Sequence, residues 1–314
     1  MRAIVTGGAG FIGSNVVDAL LQRGDQVTVI DDLSTGKREN LESALAAGAR
    51  LCVLDIRDAA QLASAVGEFR PQTIFHLAAQ IDVRRSLAEP ALDAAINVAG
   101  TINVLEAARA HGVARIVNSS TGGAIYGDAE TIPSPERTTP LPEAAYGQSK
   151  LSAEGYLGLY ERLYGQSAVT LRYGNVYGPR QDPLGEAGVV AIFTGLLESG
   201  GQPTVFGDGR QTRDYVYVGD VVAANLAAAA ADARGPINIG TGVETSVLEL
   251  ITILRELAGV ESFEPRFAPA RLGELARSCL DVTLARDALG WTPSVTIREG
   301  LRLTFEASRA APAL

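Results

Sequence analysis

Short β-branched apolar runs alternate with amphipathic stretches through the first half of the chain. RAIVT (2–6), QVTVI (26–30), RLCVL (50–54), QTIFHL (72–77) and ARIVNSS (114–120) have the length and residue types of buried strands. Between them, 11–23, 40–47, 58–68 and 91–111 read as helices. A further helix carries Tyr146 and Lys150, and AVTLRY (168–173) follows as a sixth strand. This order predicts an α/β fold, a parallel sheet covered by helices on both faces. With right-handed crossovers it becomes a Rossmann-type doubly wound sheet.

After Asn175 the pattern loosens. Residues 176–188 and 200–215 are rich in Gly and Pro and read as loops with one short strand. Stretches 219–233, 247–258 and 295–309 read as helices, and 263–282 mixes Pro, Arg and Glu. The expected division is a sheet domain over 1–175 and a smaller C-terminal substrate-binding domain over 176–314. Parts of about 213–245 are expected to return to the first.

The turn after the first strand, TGGAGFIGS (6–14), places Gly7, Gly10 and Gly13 between a strand and a helix. One glycine suits a tight turn, one a close backbone approach to a pyrophosphate, and one close helix–sheet packing. The helix start adds open N–H groups and the positive end of its dipole. Asp31 ends the second strand, where a carboxylate accepts from an adenosine ribose and repels a 2′-phosphate. That favours NAD over NADP, against the nearby Lys37 and Arg38. Other strand ends face the same crevice: Asp55 and Ile56 to flank the adenine, Ala78 and Ala79 to leave room, and the hydroxyls of Ser119, Ser120 and Thr121.

Composition narrows the partners. The 314 residues are 46% hydrophobic and 20% charged, with a net charge of -9. No basic stripe marks a nucleic-acid surface. Cys52 and Cys279 are far apart, and His76 and His111 are isolated, so neither a disulfide framework nor a metal site is expected. MRAIVTGG runs straight into a strand, and the apolar stretch 221–231 is too short for a membrane span. The chain reads as cytoplasmic, without membrane or nucleic-acid partners.

Tyr146 and Lys150 stand four apart on a helix, with Gly147 and Ser149 between them. A free tyrosine is a poor base near neutrality. An adjacent ammonium and a cationic nicotinamide ring are expected to lower its pKa. Lys150 is also placed to hold the nicotinamide ribose, and Thr121 to relay a proton to Tyr146. Gly147 and Ser149 are expected to keep the helix slim where the cofactor approaches.

TGGAGFIGS, DDLSTG, HLAAQ, NVAGT, YGQSK, LRYGNVYGPRQ, FGDGRQTRDYVYVGDV and NIGTG together span nearly the whole chain. In these motifs the chain resembles the extended short-chain dehydrogenase/reductase group, among its NAD-dependent sugar-nucleotide epimerases and dehydratases. The resemblance implies Tyr146 as catalytic base and Lys150 as its partner. STGGAIYG carries one residue more than the group's pattern, which puts Thr121 in the hydroxyl role and leaves Ser120 as second candidate. For the cofactor it implies Phe11, Ile12, Asp32, Ser34, Thr35, Gly36, Leu77, Gln80, Asn97 and Tyr173 beside those already named. For a UDP-sugar it implies Gln80, Arg84, Ser86, Ser120, Asn175, Arg180, Val189 and Val190. Val205 and Phe206 would line the uracil, Arg213 and Arg271 would clamp phosphates, and Glu274 would meet the ribose.

The implied reaction inverts C4 of the sugar, UDP-glucose to UDP-galactose, through a 4-keto intermediate. NAD would stay bound and the enzyme would be an isomerase. UDP-glucuronate is the alternative substrate, its carboxylate received by Arg84, Arg85 or Arg180. A dehydratase would carry Asp-Glu where Gly122 and Gly123 stand. A non-catalytic NAD-binding protein would have no need of the Tyr146–Lys150 pair. The group's habits imply a homodimer through 91–111 and 145–164.

Overall fold

The computed structural model describes residues 1–183, 188–270 and 275–310. The strands are β1 (Arg2–Thr6), β2 (Gln26–Asp31), β3 (Arg50–Val53), β4 (Thr73–His76), β5 (Arg115–Thr121), β6 (Ala168–Tyr173), β7 (Asn175–Tyr177), β8 (Thr204–Phe206), β9 (Thr212–Tyr217), β10 (Gly235–Ile239), β11 (Glu244–Ser246), β12 (Arg266–Ala268) and β13 (Arg277–Ser278). Seven form one sheet in the order β10-β6-β5-β4-β1-β2-β3, with every pair parallel. The central strands are apolar almost throughout because both faces are covered.

One face packs Val16, Val17 and Leu20 of the helix Phe11–Gln22 with Val221 and Ala224 of the helix Val218–Ala230. The other packs Leu62 and Val66, Val104 and Leu105, and Leu157 of three further helices. Chain order reverses between β1 and β4. A crevice opens there, at the carboxyl ends of the strands.

The seventh strand, GPINI, was not among the sequence-predicted strands. Gly235 and Pro236 make it read as a turn. It holds because β10 is an edge strand, pairing only with β6, and an edge tolerates proline. Short strands build the remaining sheets: β9 pairs β7, β11 and β13, and β8 pairs β12. Around them Val190, Phe193, Leu250, Leu254, Phe263 and Leu301 form a separate core.

The stretch expected as one helix over 91–111 starts at Pro90 and contains a π-helical turn, Ala95–Ala99, before continuing as Gly100–Ala110. Such turns are frequent at functional sites. This one carries Asn97.

Candidate active site

The glycine turn is fixed by contact. Gly7 has φ +68°, and a Cβ there would lie 2.6 Å from the amide nitrogen of Ala78. A Cβ on Gly13 would lie 2.1 Å from the carbonyl oxygen of Gly7. The turn therefore brings β1, the first helix and the Leu77–Ala78 segment closer together than a side chain permits. Gly10 caps the helix without a side chain, so no side-chain oxygen covers the amides at Phe11 and Ile12. That cradle fits a dinucleotide pyrophosphate.

Asp31, at the end of β2, accepts from the amides of Ala9 and Leu33, both at 2.9 Å. Burial raises its carboxyl pKa, and these amides oppose the shift. Gly36 backs the carboxylate: a Cβ there would meet Asp31 Oδ1 at 2.7 Å. Asp32 takes the amide and hydroxyl of Ser34, and Thr35 is exposed. Lys37 is ion-paired to Asp182 at 2.8 Å. Asp55 accepts from Arg57, which lowers its pKa, and Ile56 is buried against Gly100. Leu77, Ala78 and Ala79 are half-buried along the rim.

The three consecutive hydroxyls have different partners. Ser119 donates to the carbonyl of His76 at 3.0 Å. Ser120 donates to Glu154 at 2.6 Å. Thr121 accepts from the amide of Ala124 at 3.2 Å and is hydrogen-bonded to the Tyr146 phenol. The structure thus brings Thr121 to the phenol, while Ser120 joins a buried network.

Tyr146 opens the helix Ala145–Tyr164, and Lys150 follows one turn later, almost wholly buried. Burial raises the phenol pKa to about 12, Asp93 adds to the rise, and Thr121 opposes it. This differs from the sequence expectation of a lowered tyrosine. In the protein alone, desolvation of the phenolate outweighs any help from the lysine. Burial lowers Lys150 to about 8, against the pull of Glu154 and Asp93. His76, held between Thr6 (2.7 Å) and Thr101 (3.0 Å), is buried and lowered to about 3, so it is a neutral structural imidazole.

Gly147 packs against the turn below it rather than toward the crevice: a Cβ there would lie 2.4 Å from the Ala124 carbonyl oxygen. Ser149 accepts from Asn97 at 3.0 Å and donates to the carbonyl of Tyr146 at 2.9 Å.

Several residues assigned to the sugar side have partners of their own. Gln80 and Asn97 are tied to each other and to Asp93. Ser86 is fully buried and accepts from the amide of Tyr146 at 3.0 Å, capping the start of that helix from a neighbouring one. Arg180 pairs with Asp18 at 2.6 Å, and Arg85 with Glu89 at 3.3 Å. Both engagements weaken the case for a sugar carboxylate there.

Asn175 starts β7 and faces Gly123, where a Cβ would lie 3.5 Å from Asn175 Oδ1. Arg84 is exposed on the helix Val83–Ala88. Val190 and Val205 are buried in the second core, with Val189 packed against it. Phe206 ends β8, half-buried. Arg213, on β9, donates to the Thr212 carbonyl at 2.8 Å. The phenol of Tyr173 is bound to Asn225 within the core. Arg271 and Glu274 lie outside the described residues.

Three carboxylates escaped the sequence reading. Asp93 is 1% exposed. Glu154 holds Ser120 and Arg172 together. Asp214 takes the amides of Thr241, Gly242 and Leu280, clamping two distant loops to β9. Glu154 stands at i+8 from Tyr146, on the stripe already carrying Lys150, and that spacing was the available signal. Among the described residues there is no cluster of metal-ligating side chains, and no helix long and apolar enough to cross a membrane.

A doubly wound sheet with a glycine-turn crevice, and a Tyr–Lys pair meeting a threonine at its rim, define a protein of the short-chain dehydrogenase/reductase type. More particularly, the chain belongs to the NAD dependent epimerase/dehydratase family, whose model matches residues 3–240. It is 48% identical over 311 residues to a UDP-glucose 4-epimerase of Mycolicibacterium smegmatis, covering 98% of this chain and 99% of that one. The crystal structure of a Thermotoga maritima UDP-glucose 4-epimerase with UDP-glucose matches with a TM-score of 0.95 and 47% identity, covering 99% of each chain. A Thermus thermophilus UDP-glucose 4-epimerase complexed with NAD matches with a TM-score of 0.93 and 45% identity, covering 99% of this chain and 100% of that one.

Proposed function

We propose that this protein is an NAD-dependent isomerase that interconverts UDP-glucose and UDP-galactose by inverting C4. The observation that carries this reading is the cluster of Tyr146, hydrogen-bonded to Thr121, with Lys150 one turn further on at the crevice rim. The similarity to an epimerase crystallised with UDP-glucose supports the choice of substrate.

Residues 1–175 would hold NAD, and much of 176–314 the UDP-sugar. The open amides after Gly10 would take the pyrophosphate, and the carboxylate of Asp31 the adenosine ribose. When bound, NAD supplies the hydride acceptor and donor. Tyr146 is protonated in the protein alone. With NAD bound, its phenolate would be favoured by the cationic ring together with Lys150. That phenolate would take the proton from the sugar 4-hydroxyl and return it to the same oxygen after the sugar has turned over. Thr121 keeps the phenol aimed at that oxygen. Lys150 contributes positive charge beside the phenol and would orient the nicotinamide ribose. Asn175 and Arg213 would meet the pyrophosphate of the substrate. Because net redox change is zero, no external oxidant or reductant would be needed to renew NAD between turnovers.

An elimination reaction finds no support beside Thr121. Gly122 and Gly123 supply no carboxylate there, and a side chain at Gly122 would lie 2.6 Å from the Leu280 methyls, which would have to shift. We also infer a homodimer through 91–111 and 145–164, the second of which, the helix Ala145–Tyr164, ends in the exposed Leu163 and Tyr164. Sedimentation at twice the monomer mass is expected. A cytoplasmic setting agrees with two cysteines that are both free.

Proton NMR tests the function. Purified protein is given UDP-glucose or UDP-glucuronate in parallel, with no cofactor added. UDP-galactose is expected in the first tube and no change in the second. Conversion of UDP-glucuronate alone, or of neither substrate even after NAD is added, would overturn the reading.

A further inference from the structure

The helix Pro90–Ala94 buries a carboxylate that the reaction described above does not use. Asp93 Oδ1 accepts from Gln80 at 2.9 Å and from Asn97 at 3.2 Å. Asp93 Oδ2 is buried with no hydrogen-bond partner. Leaving a buried carboxylate oxygen unpaired is costly, so its persistence asks for a reason. Asn97 also donates to Ser149, and Ser149 to the carbonyl of Tyr146. Asp93 is therefore linked to the backbone of Tyr146 through two side chains.

We propose that Asp93 is a positioning residue of the Tyr146–Lys150 pair, fixing the helix start through Asn97 and Ser149 and setting a negative charge beside both groups. The proposal rests on the reading of Tyr146 as the acid–base group.

The sign of the effect follows from charge. A carboxylate disfavours phenolate and favours ammonium, and Asp93 acts in those directions on Tyr146 and Lys150. It adds to burial in holding the tyrosine protonated and, with Glu154, opposes the loss of the lysine proton in the protein alone. Other charged groups around the pair have different partners. Glu154, on the same helix, also favours the Lys150 ammonium, and is itself paired with Arg172 of β6. His76 of β4 is neutral. On the helix Val83–Ala88, Arg84 is exposed and Arg85 pairs with Glu89. Glu106, from the helix Gly100–Ala110, is bound to Arg109 and Tyr160.

Asp93→Asn isolates the charge. Both existing hydrogen bonds fall on one oxygen, so an amide oxygen there keeps them. The experiment measures kcat against pH, and separately the phenol of Tyr146 by ultraviolet difference titration with the Tyr146→Phe spectrum subtracted. In Asp93→Asn both limbs of the kcat profile, and the phenol titration, are expected to move about one pH unit downward. A lowered melting temperature with all three unmoved would reduce Asp93 to a structural residue and overturn the proposal. Should Asp93→Asn not fold, Asp93→Ser carries the same prediction. If the wild-type protein converts no UDP-sugar, the functional reading fails, while the phenol titration still decides the role of Asp93.

Discussion

Ser120 and Thr121 are neighbours on β5, and their hydroxyls serve two different regions of one helix. Tyr146, Lys150 and Glu154 form a single stripe along that helix, spaced by four residues. At its first two turns Thr121 meets the phenol, and burial displaces both the phenol and the ammonium from their ordinary pKa values. At its third turn Ser120 and Arg172 take both oxygens of Glu154, Arg172 donates to the Tyr126 hydroxyl at 2.8 Å, and that hydroxyl donates to Asn238. Burial works against the Arg172 charge, but the bonds to Glu154 overcome it and raise its pKa. Similar residue types thus yield a perturbed acid–base pair in one region and a fully paired strut in the other. The difference is pairing: the Arg172 and Glu154 charges balance each other and hold structure, whereas burial brings the Lys150 ammonium down to about 8, within reach of proton transfer near neutrality.

The sharpest test separates the regions by their readouts. Tyr146→Phe removes only an oxygen. It is expected to lower kcat by about 10²- to 10⁴-fold with an unchanged circular dichroism spectrum and melting temperature. Near-normal turnover in that variant would remove Tyr146 from the chemistry.

The strut should respond the other way. The Arg172–Glu154 side chains are 4% and 8% exposed, so Arg172→Met leaves a buried carboxylate without its counter-charge. A loss of about 3–5 kcal/mol in unfolding free energy is expected, read from urea denaturation. A loss below about 1 kcal/mol would mean that the pair is solvated in practice.

The adjacent hydroxyls give a smaller and more discriminating contrast. Thr121→Ala is expected to lower kcat by about 10-fold or more and to cost about 1 kcal/mol through the lost bond to the Ala124 amide, with Thr121→Ser restoring most of both. Ser120→Ala is expected to cost about 1 kcal/mol of stability and little turnover. Exchanged outcomes would return the catalytic hydroxyl to Ser120.

The sequence made the first region legible and the second almost invisible. The glycine turn, Asp31 and the Tyr146–Lys150 spacing are local signals, readable within a few residues. Ser120, Glu154, Arg172, Tyr126 and Asn238 come from segments up to 118 positions apart, and only the sheet brings them together. The same holds for Asp214, which reaches Thr241 and Leu280. Ser86 and Arg180 are placed at the sugar by the family resemblance and not by any pattern of their own. Their actual partners, the Tyr146 amide and Asp18, depend on packing that no local pattern encodes. The edge strand β10 escaped because Pro236 argues against a strand, except at the one kind of position it occupies.

The smallest effect is a pH dependence in which activity and stability move in opposite directions. Burial holds the Lys150 ammonium at about 8, well below the ordinary lysine value. The folded protein therefore loses this proton before the unfolded chain does. As pH rises from about 8 toward 10, the unfolded state binds more protons, and Lys150 makes a growing contribution to stability. Its charge beside the phenol is lost over the same interval. The alkaline limb of kcat is thus expected at or below about pH 8, with a melting temperature that does not fall between about 8 and 9. Above about 9 the buried Cys279 thiol, pushed up to about 12, opposes Lys150, and Tyr146, also held protonated to about 12, adds to that above about pH 10. Most surface groups cannot produce this divergence, because they ionise alike in both states. A limb above about pH 9.5, or activity and melting temperature falling together between 8 and 9, would assign the titration to another group and leave Lys150 an ordinary buried lysine.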